Sequence, residues 1–382
     1  MVVGRWTSAS PQRGGERYCI PGPFHAPCPR GPPNHMEALS QTWAVARNTA
    51  LECLRQPVVL AVLVAGTLLV ILSVPFSGFT LMDDQRMFVD IALSTVFVCG
   101  TVLAAFLAST ALNREVENRT ALTVISKPVG RPAFVCGKYL GVTAALLACT
   151  LVLTLVLMLV EMHGTMPTVT TPYHLPVITL GSLAAVGAVV AAAWANYFYG
   201  WNFPAATVGF GVPLLALAYL ACLNFKTDWA PTPPAGQFEG RLWVASGVMF
   251  LGLTVLSGIA VAASTRLGAV LTLAITLSAF VMGLLSDWVI GRRVAATDDA
   301  LARLAESGSP GHALDALHLQ AAALKAAYAV VPNFQVFWLS DAVQQERSVP
   351  LDYLWPAAAY GAALVAACLC LAIALFQRRE VG

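Results

Sequence analysis

The stretch EVENRTALTVISKPVGRPAFVCGKYLG, residues 115–141, holds two acids and four bases, with Arg114 just before it. Its flanks are of the opposite kind. Residues 91–112 and 139–160 are apolar runs of the roughly 20 residues a helix needs to cross a hydrocarbon core. The rest of the chain repeats this pattern of long apolar runs and short polar joins. Its 382 residues are 58% hydrophobic and only 11% charged, with a mean hydropathy of +0.71. A soluble domain carries roughly a quarter of its residues as Asp, Glu, Lys or Arg. One soluble core cannot hide so much apolar surface, and an all-α polytopic transmembrane helical bundle is predicted.

Working outward, residues 57–76 form the first span. Between His163 and Lys226 there is no Asp, Glu, Lys or Arg. That run has room for two helices, near 176–197 and 203–223, joined at YFYGWNF, whose aromatic residues suit a membrane interface. Residues 242–264, 267–288 and 354–376 bring the number of spans to eight, which places both chain ends on one side. With those ends cytoplasmic, the inner side holds Arg47, Arg55, Arg114, Arg119, Lys127, Arg131, Lys138, Arg266, Arg378 and Arg379. The short outer loops hold only Arg86, Lys226 and Arg241. An excess of bases marks the cytoplasmic side, so residues 113–138 are expected there and the long connection 289–353 outside. Within that connection, TDDALARLAESG and HALDALHLQAAALKAAYAVV read as two short helices that cap an exit path or bind an external partner. A plain solvated connector is the alternative.

Residues 1–35 are rich in Pro, Gly and Arg and lack the apolar core of a signal peptide. They read as a disordered extension, with a regulatory tail as the functional alternative. Met36 opens a sequence of different character, which makes the extension a candidate for a mis-assigned start. Residues 36–56 place Leu39, Trp43, Ala46, Ala50, Leu51 and Leu54 at helical spacing. An amphipathic elbow helix along the cytoplasmic interface is expected, ending before Pro57.

The spans offer little chemistry. Asp90, Glu161 and Asp287 fall at span ends, whereas ion-coupled carriers usually hold ionisable groups within the bundle. No HExxH, GxSxG or His/Cys metal spacing occurs, so no enzymatic activity or bound cofactor is expected of this chain. A net charge of +2 gives no sign of a nucleic-acid partner. The nine Cys form no CxxC pair. Met158, Met162, His163 and Met166 are weak candidates for a soft metal ion, with lipid-facing methionines and an interfacial His as the plainer reading. Gly130 and Gly137-Lys138 suggest a phosphate loop, but six residues separate the glycines and Tyr139 stands where the motif needs a hydroxyl for magnesium.

E-x-E-N-R-T, then S-K-P-V-x-R, then F-V-x-G-K-Y-L-G resembles the loop between spans two and three of type-2 ABC-transporter permeases. The bacterial group annotated with multi-copper-enzyme maturation is the nearest likeness. GLLSDWVI resembles the end of that family's fifth span, VVPNFQVFWLSDAV its last external loop, and FQRREVG its charged C-terminal stop. The likeness covers about residues 37–162 and 242–382. Residues 163–241 depart from it and read as a hairpin inserted into a six-span core.

The resemblance implies the permease subunit of an ABC exporter-type complex in the bacterial inner membrane. A separate ABC ATPase would carry ATP and Mg, and a second permease copy or homologue would complete the dimer within membrane lipid. It further implies a short coupling helix over 119–126, with apolar contact from Ala121, Leu122, Val124 and Ile125. Glu115 and Glu117 precede it, Arg119 and Thr120 open it, Lys127 follows it and Pro128 ends it. Arg131 and Lys138 sit where the chain re-enters the membrane, within reach of lipid phosphates. Topological anchoring alone is the plainer reading of these charges. A scaffold or mechanotransmitter driven by the same kind of ATPase, and more distantly a secondary carrier, are the other functional readings.

Overall fold

The computed structural model describes residues 35–79, 83–117, 130–165, 172–306, 311–345 and 349–377. The extension read as disordered therefore lies, but for His35, outside the described residues. Among the described residues twelve α-helices follow in order: α1 His35–Leu54, α2 Pro57–Ser77, α3 Asp84–Glu117, α4 Arg131–His163, α5 Ser182–Tyr199, α6 Phe203–Cys222, α7 Gly240–Ser264, α8 Ala269–Ser286, α9 Arg292–Glu306, α10 Gly311–Val330, α11 Ser340–Gln344 and α12 Leu351–Gln377. No β-strand occurs among the described residues.

Among the described residues eight segments are long and apolar enough to cross a membrane, one at each place where the sequence shows an apolar run. The chain is an integral, multi-pass membrane protein. Its core is made by α3, α4 and α7: each is 67% buried over its most apolar window, against 11% for α12. Among them α4 is central, packing against α1, α2, α3, α6 and α7. Lipid tails supply no hydrophobic drive between helices, so close packing through small residues carries the association. Gly66 of α2 admits the Leu153 side chain and the Cys99 sulfur, at 3.0 and 3.1 Å from where a Cβ would stand.

At the α1–α2 join, Gln56 is extended (φ −72°, ψ 133°) and Pro57 opens α2, where its missing N–H is no loss. The hairpin of α5 and α6 turns at Gly200, whose φ of 66° is left-handed and costs little without a Cβ. The Asn202 side chain then caps α6 by accepting from the Ala205 N–H at 3.2 Å.

Two stretches differ from the sequence reading. The seventh span runs to Leu304, because α8 passes through a wide π-turn at Asp287–Gly291 and continues as α9. A Cβ on Gly291 would stand 2.5 Å from Asp287 Oδ1, so glycine lets the aspartate lie against the turn. The short helix expected at TDDALARLAESG is thus not separate from the seventh span but continues it through residues 289–296. Further on, Phe334 and Phe337 are fully buried. Phe337 lies over Gly252 of α7 and Gly361 of α12, and Phe334 over Gly283 of α8. The segment read as an external loop is a plug that fastens three spans together.

Candidate functional site

The polar connection starts inside a helix. α3 carries Glu115 and Glu117 in its last described turn, five residues beyond the apolar run. Arg119, Thr120, Leu122, Ile125, Lys127 and Pro128 lie outside the described residues, as does the coupling helix expected over 119–126. The chain resumes at Gly130, which is extended (φ −60°, ψ 132°) and precedes Arg131 and Pro132 at the start of α4.

From Arg131 onward the charges have defined neighbours. An Arg131 Nη donates to the Gln377 carbonyl at 3.0 Å, and Arg266 Nε donates to the Leu375 carbonyl at 3.1 Å. Both acceptors lie in the last described turn of α12, toward the C-terminal end where a helix carries its negative pole. Two bases from different parts of the chain therefore cap one helix. They also place residues 131, 266 and 377 at a single end of the bundle.

Six to ten residues on, GKYLG fixes α1. A Cβ on Gly137 would stand 2.8 Å from Val45 Cβ and 2.9 Å from the Thr42 carbonyl. One on Gly141 would stand 2.5 Å from the Ala46 carbonyl and 2.6 Å from Thr49 Cβ. The glycine–lysine pair is thus half of a G-x-x-x-G contact, which lets two helix backbones approach closely. Facing it, Thr42, Val45, Ala46 and Thr49 occupy one side of α1, while Leu39, Trp43 and Leu51 stand exposed. The apolar face read from α1 is consequently divided: Ala46 turns to α4 and Leu54 packs against the core, while Leu39, Trp43 and Leu51 turn outward.

Between the two glycines, Lys138 is only 1% exposed. Its Nζ lies 3.9 Å from Glu52 Oε2 and 5.7 Å from the centre of the Phe134 ring. The sequence placed this ammonium at the surface, in reach of an ATPase or a lipid phosphate; it is instead enclosed between α1 and α4. Beside it, burial pushes the Cys53 thiol up to about 12, with the Lys138 charge opposing the rise, so the thiol stays neutral. A buried ion pair contributes little net stability, whereas removing one partner is costly. Lys138→Met is expected to melt within about 1 kcal/mol of the parent in detergent, because an apolar chain fills the buried position and the Glu52 carboxylate left behind is 32% exposed and stays hydrated. Glu52→Ala is expected to cost about 2 kcal/mol, reduced from the full buried-pair figure by the partial exposure of Glu52. Equal losses in the two variants would refute this account.

The opposite end of the bundle is also polar. A cavity of about 310 Å³ is lined by Asp83, Asp84, Gln85, Arg86, Glu161 and Glu239, among others. Most of its carboxylates are engaged: Asp83 with Arg86 at 3.5 Å, Glu239 with Arg241 at 3.1 Å, and Asp84 as acceptor from Thr165 at 2.5 Å. Glu161 accepts from Gln85 Nε2 at 3.3 Å. Span-end acids were visible in the sequence, but their convergence from the ends of three separate spans was not.

Close to this end, Met158 is buried in the core, His163 stacks on Tyr173 at 5.6 Å, and Met166 lies outside the described residues. No cluster of three or more His, Cys, Asp and Glu suited to a metal occurs among the described residues. The neighbouring His174 is 4% exposed, and its Nδ1 accepts from the Val177 N–H at 3.4 Å. Burial, then the nearby His163, holds its pKa below the ordinary 6.5. The folded state therefore keeps His174 neutral while the unfolded chain takes up a proton first. Stability from this group is complete above about pH 6.5 and falls as pH drops toward the lowered folded value. The protection of the Leu175 and Val177 amides, taken as the exchange rate relative to the intrinsic rate at each pH, is expected to fall between pH 7.5 and 5.5 in the parent and to change less in His174→Gln. Identical pH dependence in both would assign the opening to other groups.

With this geometry established, the chain can be compared with known families. The family model described as "ABC-2 family transporter protein" matches residues 43–195. The matched segment holds most of α1, all of α2, α3 and α4, the undescribed 118–129 connection and most of α5. It thus contains the α1–α4 contact but for Thr42. It also runs through residues 163–195, which the sequence reading had set outside the resemblance as half of an inserted hairpin. None of the curated proteins matches the chain.

Proposed function

We propose that this chain is the permease subunit of an ATP-driven exporter-type complex and takes its force from a separate ABC ATPase through residues 113–138. The observation that carries this reading is mechanical. The first three turns of α4, which directly follow the connection, are joined to α12 through Arg131, to α1 through Gly137 and Gly141, and to α7 through Tyr139, whose hydroxyl donates to the Thr254 carbonyl at 3.3 Å. A push on the connection is therefore passed to four helices at once. The family match over residues 43–195 supports the same assignment.

In this reading Glu115, Glu117, Arg119, Thr120, Leu122, Ile125, Lys127 and Pro128 form the ATPase contact. Arg131 and Lys138 act behind it, transmitting its movement. ATP and Mg belong to the partner, which approaches from the cytoplasmic side of a bacterial inner membrane. Two permease copies would tilt as the ATPases close, switching access across the bilayer.

Co-expression with an ATPase bearing a Walker A motif, encoded beside this chain, tests the proposal. The two are expected to co-purify, and at least one solute in a screen is expected to raise the hydrolysis rate. Failure to associate would sink the reading. Association with a rate that no solute changes would favour a mechanotransmitter over an exporter.

A further inference from the structure

Two cavities meet on the α5–α6 hairpin, and together they are polar at one end and apolar at the other. The apolar one, about 550 Å³, follows α5 from Gly187 past Ala191 and Trp194 to Tyr199. The second, about 830 Å³, lies between the hairpin turn and the α1–α2 join and includes Arg55, Asn196 and Asn202. Trp201 and Phe210 line both. Their rings stack at 6.2 Å with planes 10° apart, making a shared wall.

The polar groups of the second cavity are not equivalent. Asn196 Nδ2 donates to the Trp201 carbonyl at 2.5 Å, and Asn202 caps α6. Arg55 is exposed, and its guanidinium forms no ion pair or hydrogen bond among the described residues. It stands at the level of Tyr197, Tyr199 and Trp201, which are all more than half exposed, as expected of side chains at a membrane–water interface. From residue 199 back to 187, α5 rises by about 18 Å. One leaflet of the hydrocarbon core is about 15 Å deep. An apolar slot of one-leaflet depth, with a guanidinium at its interfacial mouth, has the shape and charge of a phospholipid.

We propose that this composite groove holds one anionic phospholipid, its phosphate on Arg55 and one acyl chain along α5 between Tyr199 and Gly187. A guanidinium offers several donors to phosphate oxygens. The slot takes the chain in place of loosely packed bulk lipid, so occupancy braces the peripheral hairpin against the α1–α2 elbow. The inference does not depend on any ATPase and stands apart from the proposed function.

The test uses the full chain reconstituted in nanodiscs of phosphatidylcholine and phosphatidylglycerol at four to one. The protein is then re-extracted in mild detergent, and co-purified lipid is measured by mass spectrometry. Phosphatidylglycerol is expected to be enriched at least fivefold over its bulk share, near one molecule per chain. Arg55→Ala should bring that ratio back toward bulk. Ala191→Trp, which fills the slot, should strip both lipids, while gel filtration and melting report an intact fold. A bulk ratio in the parent, or enrichment that survives both variants, would overturn the proposal. So would equal loss of the two lipids in Ala191→Trp with Arg55→Ala silent, which describes a slot without headgroup selection. Conversion of a dimer to a monomer by Ala191→Trp, with lipid content unchanged, would assign the slot to a second copy of this chain.

Discussion

Gly141→Leu is expected to separate α1 from α4, lowering stability in detergent by about 3 kcal/mol, the upper part of the range for overpacking. The size of the effect follows from what the new Cβ meets. It would stand 2.5 Å from the Ala46 carbonyl and 2.6 Å from Thr49 Cβ. The first is backbone and the second is fixed to it, so no rotamer change makes room and the helices must move apart. Gly137→Leu meets Val45 Cβ and the Thr42 carbonyl one turn earlier and should behave alike. Gly247→Ala is the matched control, because nothing lies within 4 Å of its added carbon. The diagnostic readout is proteolysis at α1. Cleavage should accelerate at least tenfold in the Gly141 variant and stay at the parental rate in the control. Unchanged cleavage would show that α1 is held by something other than this contact.

How far such a contact can be read from sequence depends on which physical signal encodes it. Hydrocarbon solubility is a property of composition, and all eight spans appear as apolar runs. Where a helix ends is a different matter, because polar residues continue a helix into water as readily as they begin a loop. Hence α3 reaches Glu117 and α8 passes beyond Trp288, past the points where hydropathy falls. The glycines at 137 and 141 were in view, but Lys138 between them drew a comparison with phosphate loops. The small-xxx-small spacing was the signal that would have identified a helix contact. The partner of Lys138 is hidden for another reason: Glu52 lies in a different helix, and no local pattern reports a pairing across such a separation. Phe334 and Phe337 show the same limit. Their burial depends on Gly252, Gly283 and Gly361 from three spans, and nothing nearby in sequence separates a plug from a loop. As for the connection, its charges and its Pro128 were legible, but its central residues fall outside the described part of the chain.

Replacing both Glu117 and Arg119 by Ala is expected to leave insertion, melting and the α1–α4 contact unchanged while reducing ATP-driven transport at least tenfold. The bases of this region divide between anchoring and contact. Arg131, Lys138 and Arg266 are engaged within the chain, at the α12 terminus and the α1 contact. Changing them should therefore act on stability. Glu117 and Arg119 lie before that anchored region, at the edge of the connection that the proposed function assigns to the ATPase. A hydrogen bond to a charged group contributes about 1.5–3 kcal/mol, and each 1.4 kcal/mol is tenfold in affinity. Loss of even one such contact weakens the association by about tenfold or more. Arg131→Ala supplies the contrast, because it removes the cap from α12. It should lower the melting temperature of the isolated chain and leave ATPase affinity nearly unaltered. The two variants thus move different observables, affinity in one and melting in the other. Transport at the parental rate in the Glu117/Arg119 double variant would remove these residues from the ATPase contact. A lowered melting temperature in that variant would return them to the role of anchors.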